Sequence, residues 1–126
     1  MKFRNPLANA RNHGSAGDGV GHWWAQRFSA ILMLALAAWL VYIMAGIIGA
    51  SHAEASALLA RPVNAALAIL FILTALYHSV LGLQVVIEDY IHQHGLELAL
   101  HLIVRIAALA GAFIVVVAIL KNAFGV

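Results

Sequence analysis

The sequence predicts an all-α integral membrane protein with three transmembrane helices. Two observations carry this. Of 126 residues, 64% are hydrophobic and only 10% are charged, against about 25% charged in a soluble domain; mean hydropathy is +0.96. The apolar residues also gather into three runs, over residues 28–50, 62–87 and 98–120, and crossing a bilayer takes about 20 residues of helix. A backbone in lipid must bond its own polar groups, so each run is expected to be helical. This composition excludes a cytosolic globule and a disordered chain, and little is left for a second domain.

Residues 1–27 differ in character. They hold Lys2, Arg4, Arg11 and Arg27 and end near the pair Trp23-Trp24. They are expected to form an irregular aqueous segment leading into an aromatic interface belt. They do not read as a signal peptide: the polar part is too long, and the apolar run after it exceeds the usual 7–15 residues or so. The first run is therefore expected to be a retained anchor, and residues 28–126 the three-helix unit.

Residues 51–61 and 88–97 are expected to be short connections. Pro62 suits the first turn of a helix, where its missing N–H costs nothing, and Gly95 would ease the second turn. Charges His101 and Arg105 alone interrupt the third run. Ala107 and Gly111 would let helices approach closely, a pattern common in membrane spans.

Four Lys/Arg precede the first span, whereas Arg61 and Lys121 fall on the other side. The positive-inside rule then puts the N-terminus and the second connection on the cytoplasmic face and the C-terminus outside. The net charge is only +2 and its basic residues serve orientation, so nucleic acid is not an expected partner. With no cysteine, the chain can hold neither a disulfide nor an iron–sulfur cluster of its own. Histidine is the ligand that it can offer.

The informative stretch runs from His78 to Tyr90. His78 lies inside an uncharged run, eleven residues before Asp89 and about 16 Å below it. An ionisable group at such depth marks a functional site by default, although depth alone fits equally well a histidine bonded to a neighbouring helix. Gly82 follows one turn later on the same face. It is either a packing glycine or the gap that a broad haem ligated by His78 would need. Asp89 returns to the stripe at the membrane surface, and Tyr90 follows. They are either a helix end with an interface aromatic, or an acid and a phenol suited to a quinone. A phenol can donate to a quinone carbonyl, and a carboxylate can relay protons. His101 lies much nearer its helix end than His78 does, which argues against the two histidines flanking one iron. A second axial ligand would come from another subunit.

The series His78-x-x-x-Gly82 followed by Asp89-Tyr90 resembles the motif of the succinate dehydrogenase hydrophobic membrane anchor subunit, the D chain. Gly14-Ser15-Ala16, Gly19 and the run from His22-Trp23-Trp24 through Gln26-Arg27 to Ala30 resemble its proteobacterial members. The resemblance covers nearly the whole chain. It implies one half of a heterodimeric haem-binding helix bundle, completed by a C-chain cytochrome b anchor subunit. A flavoprotein subunit and an iron–sulfur subunit would dock on the cytoplasmic face and carry the flavin and the iron–sulfur clusters.

By this resemblance His78 is an axial ligand of the haem b iron, with Gly82 beside the macrocycle. Arg27 pairs with a propionate, and His22 belongs to the haem environment. Asp89 and Tyr90 belong to the quinone site, with Tyr90 donating to a carbonyl. Arg105 has no counterpart in the motif; it is expected to snorkel to the interface or pair within the complex, the other reading being a propionate partner. His92 and His94 are expected in a solvated loop, where they could also buffer protons. His13 and His52 are expected on the surface.

The function implied is that of a membrane anchor of succinate:quinone oxidoreductase in a bacterial inner membrane, with a periplasmic C-terminus. Succinate oxidation would occur in other subunits. The rivals are an anchor of a quinol:fumarate reductase and a cofactor-free membrane scaffold.

Overall fold

A computed structural model describes residues 18–125 of the chain. Residues 1–17 and 126 lie outside the described residues, and with them Lys2, Arg4, Arg11, His13 and Gly14-Ser15-Ala16. The described chain is helical: α1 Asp18–Ile47, α2 His52–Ala60, α3 Pro62–Tyr90 and α4 His94–Phe124. Helices α1, α3 and α4 are each long and apolar enough to cross a membrane. The chain is a multi-pass membrane protein with a helical bundle fold.

The three long helices have 30, 29 and 31 residues, or about 44–46 Å at 1.5 Å per residue. The hydrocarbon layer is only about 30 Å thick. Each helix therefore projects past it by about 7–8 Å at either end, and hydropathy, which reports only the apolar part, reads the helices short. Helix α1 begins at Asp18 rather than near residue 28, so His22, Trp23, Trp24, Gln26 and Arg27 are helical, not irregular. Helix α3 runs on to Tyr90, which is its last residue and not the start of a loop. Helix α4 begins at His94. The connection 88–97 shrinks to Ile91–Gln93, and Gly95 is an ordinary helical residue without positive φ.

The expected connection 51–61 is mostly a helix, α2. Helix α1 stops where Gly49 turns to φ 79°, which favours glycine, and Ala50 N–H bonds the Ile47 carbonyl at 2.9 Å. Ser51 then caps α2. Its hydroxyl accepts from Glu54 N–H at 3.3 Å, and its own N–H donates to the Glu54 carboxylate at 2.8 Å, a reciprocal capping box. Helix α2 ends at Arg61 because Pro62 pushes the preceding residue out of the helical region; Arg61 sits at ψ 132°. The Asn64 amide donates to the freed Leu58 carbonyl at 2.7 Å.

Helix α3 packs against α1 on one side and α4 on the other, while α1 and α4 make little contact with each other. The spans thus form a row with α3 in the middle. Helix α2 lies on α3 and α4, tied by the Asn122 amide donating to the Ser56 carbonyl at 3.2 Å. The buried apolar residues are few: Leu36, Ile43, Ala65, Leu81 and Ile87, joined by Ser29 and Thr74. The rest of the apolar surface faces outward, as a lipid or subunit contact requires.

The hydrogen bond from the Ser51 backbone, and then that from its hydroxyl, hold the Glu54 carboxyl below its ordinary range. A carboxylate with a depressed folded pKa stabilises its cap above the unfolded value, and that contribution is lost as pH falls through the folded value. Acidification below the usual carboxylate range should therefore fray α2. Ser51→Ala should move the Glu54 titration upward, as followed by NMR of the chain in detergent. An unchanged titration would disprove the cap.

Candidate functional site

The histidine, glutamine and serine of the α1–α3 seam meet at one place. On α1, His22, Gln26 and Ser29 are spaced four and three apart, so they share one helix face. That face meets His78 and Gly82 of α3. Ser29 is buried; its Oγ is 3.1 Å from the Gln26 carbonyl and 2.9 Å from His78 Nδ1. A serine has one hydroxyl proton: in the Nδ1–H tautomer of His78 it goes to the Gln26 carbonyl and Oγ accepts from the ring, and in the Nε2–H tautomer it goes to Nδ1. His78 Nε2 lies 3.3 Å from the Gln26 amide nitrogen, from which it accepts in the Nδ1–H tautomer. A hydrogen bond at one ring nitrogen is how metal-binding histidines are usually oriented.

This seam is not complete within the chain. His22 Nε2 and Gln26 Oε1 are buried and lack a hydrogen-bond partner. Orphaned polar groups cost about 1–3 kcal/mol each. The residues present therefore suit a group that arrives from outside the chain. Gly82 is not demanded by the chain itself: a Cβ there would stand 3.6 Å from Gln26 Nε2, an ordinary contact.

Asp89 falls on the same stripe. Eleven residues at 100° each return to within about 20°, and α3 is unbroken from His78 to Asp89. Asp89 and Tyr90 are both exposed at the helix end, Tyr90 at 76%. The chain thus stacks a half-buried imidazole, a glycine and a carboxylate up one face of α3. Tyr90 is turned about 100° from Asp89, open to whatever covers that end.

Arg27 is exposed and does not join the seam. Its guanidinium lies over the Trp23 ring, 4.8 Å from the centroid, a cation–π contact. Trp24 stacks on Phe28 at 5.4 Å. His101 stands 4.0 Å from Glu88, and Glu88 is ten residues along α3 from His78, about 15 Å. The two histidines are far apart in depth. His94 lies 3.6 Å from Glu97 in the first turn of α4, and the exposed His52 begins α2. Among the described residues no three His, Asp or Glu side chains converge on a common point.

Sequence reasoning missed Ser29 and gave Gln26 no role. The signal was present: polar residues at 22, 26 and 29 form a helical stripe at the start of an apolar span. Ser29→Ala should leave His78 Nδ1 without its partner and weaken the seam. The expected loss is about 0.5–1.5 kcal/mol, the range for interhelical hydrogen bonds in membranes, read from the midpoint of unfolding in mixed micelles. Ser29→Thr, which keeps the hydroxyl, should restore most of it.

The family described as succinate dehydrogenase/fumarate reductase transmembrane subunit matches residues 1–119. The chain is 36% identical to a succinate dehydrogenase hydrophobic membrane anchor subunit from Rickettsia bellii (strain RML369-C), over 91% of this chain and 94% of the relative. It is 31% identical to the protein of the same description from Paracoccus denitrificans, over 71% and 70%. A succinate dehydrogenase membrane anchor subunit from Reclinomonas americana is 32% identical over 73% and 79%. No solved structure gives a significant match.

Proposed function

The chain belongs to the succinate dehydrogenase/fumarate reductase transmembrane subunit family, and we propose that it anchors a succinate:quinone oxidoreductase, helps to hold a haem b and forms part of the quinone site. The observation that carries this reading is the seating of His78 in the α1–α3 seam, with Ser29 2.9 Å from Nδ1 on the face that also carries Gly82 and Asp89. With Ser29 on Nδ1, Nε2 would be the nitrogen that ligates, exchanging its 3.3 Å contact with the Gln26 amide for the metal.

His78 Nε2 would be the chain's ligand to the haem iron, and a C-chain cytochrome b subunit would supply the second ligand. When bound, a haem supplies a one-electron carrier held within the membrane. His22 Nε2 and Gln26 Oε1, without partners in the chain, would be completed by the bound group and the partner subunit. Arg27, already at the membrane end of α1, would turn from the Trp23 ring to a propionate.

The quinone end works by a different chemistry. Tyr90 donates its phenolic proton in a hydrogen bond to a quinone carbonyl, which orients the ring and polarises the carbon–oxygen bond. Asp89 stands at the water boundary and passes protons inward as the quinone is reduced. Succinate is oxidised elsewhere, in a flavoprotein, and electrons arrive through an iron–sulfur subunit docked on the cytoplasmic face of a bacterial inner membrane. Each of the named relatives is a succinate dehydrogenase anchor, which favours this direction over quinol:fumarate reduction.

His78→Ala should abolish or displace the b-type band in a reduced-minus-oxidised spectrum of the purified complex. An unchanged spectrum would refute the ligand role, and a complex with no such band at all would favour the cofactor-free scaffold. Tyr90→Phe should lower quinone reductase activity at least about tenfold, equivalent to one hydrogen bond of about 1.4 kcal/mol. Succinate oxidation with an artificial acceptor should persist. Parallel loss of both activities would remove Tyr90 from the quinone site.

A further inference from the structure

Arg105 stands apart from the seam just described. It is exposed on α4 and lines a groove of about 310 Å³ between α3 and α4, whose other walls include Leu73, Tyr77, Val80, Leu109 and Ala112. The groove is on the far side of α3 from Asp89: Val80 and Asp89 are nine residues apart, or about 180° at 100° each. A group held at His78, Gly82 and Asp89 therefore does not reach Arg105, and a propionate role for it does not fit.

No carboxylate among the described residues comes within salt-bridge distance of Arg105. Of the acids at the same end of the helices, Asp89 lies on the far side of α3 and the other two are engaged elsewhere. Glu97 faces His94 at 3.6 Å. Glu88 accepts from the Gln84 amide at 2.9 Å and stands 4.0 Å from His101. An arginine within a span needs an anion, and its long stem lets the charged head rise toward the interface.

The order of residues along the groove says what kind of anion. Helices α3 and α4 run antiparallel, with His101 beside Glu88. Arg105 is then at the end nearer the Ile91–Gln93 connection, and Leu73 and Ala112 lie at the end nearer the bilayer centre. With α4 centred in the membrane, Arg105 is about 16 Å from the start of the helix and so about 8 Å inside the hydrocarbon boundary, within snorkelling reach of the phosphate layer. The groove is charged at its outer end and apolar below. Leu109 is 72% and Tyr77 53% exposed along it, so it opens to the bilayer. We infer that this groove binds a phospholipid of the leaflet on the side of the Ile91–Gln93 connection, with Arg105 on the phosphate and one acyl chain lying between α3 and α4 toward Leu73 and Ala112.

The test uses the complex purified with its subunits in dodecyl maltoside containing phosphatidylglycerol, read by native mass spectrometry after a delipidating wash. One retained phospholipid is expected, and its retention should weaken about tenfold in Arg105→Leu, the loss of one charge-assisted contact of about 1.4 kcal/mol. Ala112→Phe fills the inner end of the groove and keeps the arginine, so it should weaken retention as well. It also serves if Arg105→Leu fails to accumulate. Lys121→Leu, outside the groove, should leave retention unchanged. Equal retention in all variants would overturn the proposal. Displacement of the lipid by inorganic phosphate alone would make this a bare anion site and overturn it too. So would loss of a subunit from Arg105→Leu at constant lipid, since the arginine would then answer an acid of a protein partner.

Discussion

Lipid tails are as apolar as leucine, so two spans gain little by burying leucines against each other. What holds α1 on α3 at a defined register must include something that lipid cannot offer. The hydrogen bond between Ser29 and His78 is such a contact, and it lies in a chain with very few buried side chains. Several features depend on it. It sets Gln26 against Gly82, and so fixes how the two helices slide along each other. The contact that registers the two helices also orients the His78 ring.

The spans were legible because hydropathy reports the constraint that a bilayer imposes. Their ends were not, because that constraint stops at the hydrocarbon edge while the helix does not. Residues 18–27 carry Trp23, Trp24 and Arg27, which suit the interface whether the backbone is helical or not, so polarity there said nothing about the backbone. Helix α2 escaped for another reason. Its sequence, His52–Ala60, is mostly alanine and leucine without an apolar stripe, and short helices show little periodicity. Ser51 and Glu54, three residues apart, were the usable signal, since that spacing is the capping box.

The stripe His78–Gly82–Asp89 was legible from spacing alone, because an unbroken helix makes angular position a matter of counting. The α1 half of the seam was not. Counting places residues on a helix face but does not say which face of a second helix meets it; that needs the register of α1 against α3. Ser29 therefore had no assigned partner in the sequence, although it is the residue hydrogen-bonded to His78 Nδ1. Arg27 shows the converse. Its place before the first span is legible, yet its guanidinium rests on Trp23, a local contact four residues away that competes with any distant partner.

A row of helices has two faces, unlike a closed bundle, and α3, being in the middle, contributes to both. Gly82 and Asp89 lie toward one face; Tyr77 and Val80 lie toward the other, with Arg105. The two are chemically unlike. The first offers an imidazole held by Ser29, a glycine, a carboxylate at the helix end and two orphaned polar atoms nearby. The second offers a long apolar groove and one cation, which a flexible amphiphile can satisfy without any partner of fixed shape. Exposure is extensive on both, as among the described spans it must be for a chain with so small a core of its own. The difference lies in what each face leaves unsatisfied: hydrogen-bonding atoms with fixed directions on one side, and a charge on a flexible stem on the other. Fixed directions suit a group of fixed shape, whereas a mobile charge above an apolar groove suits a flexible one.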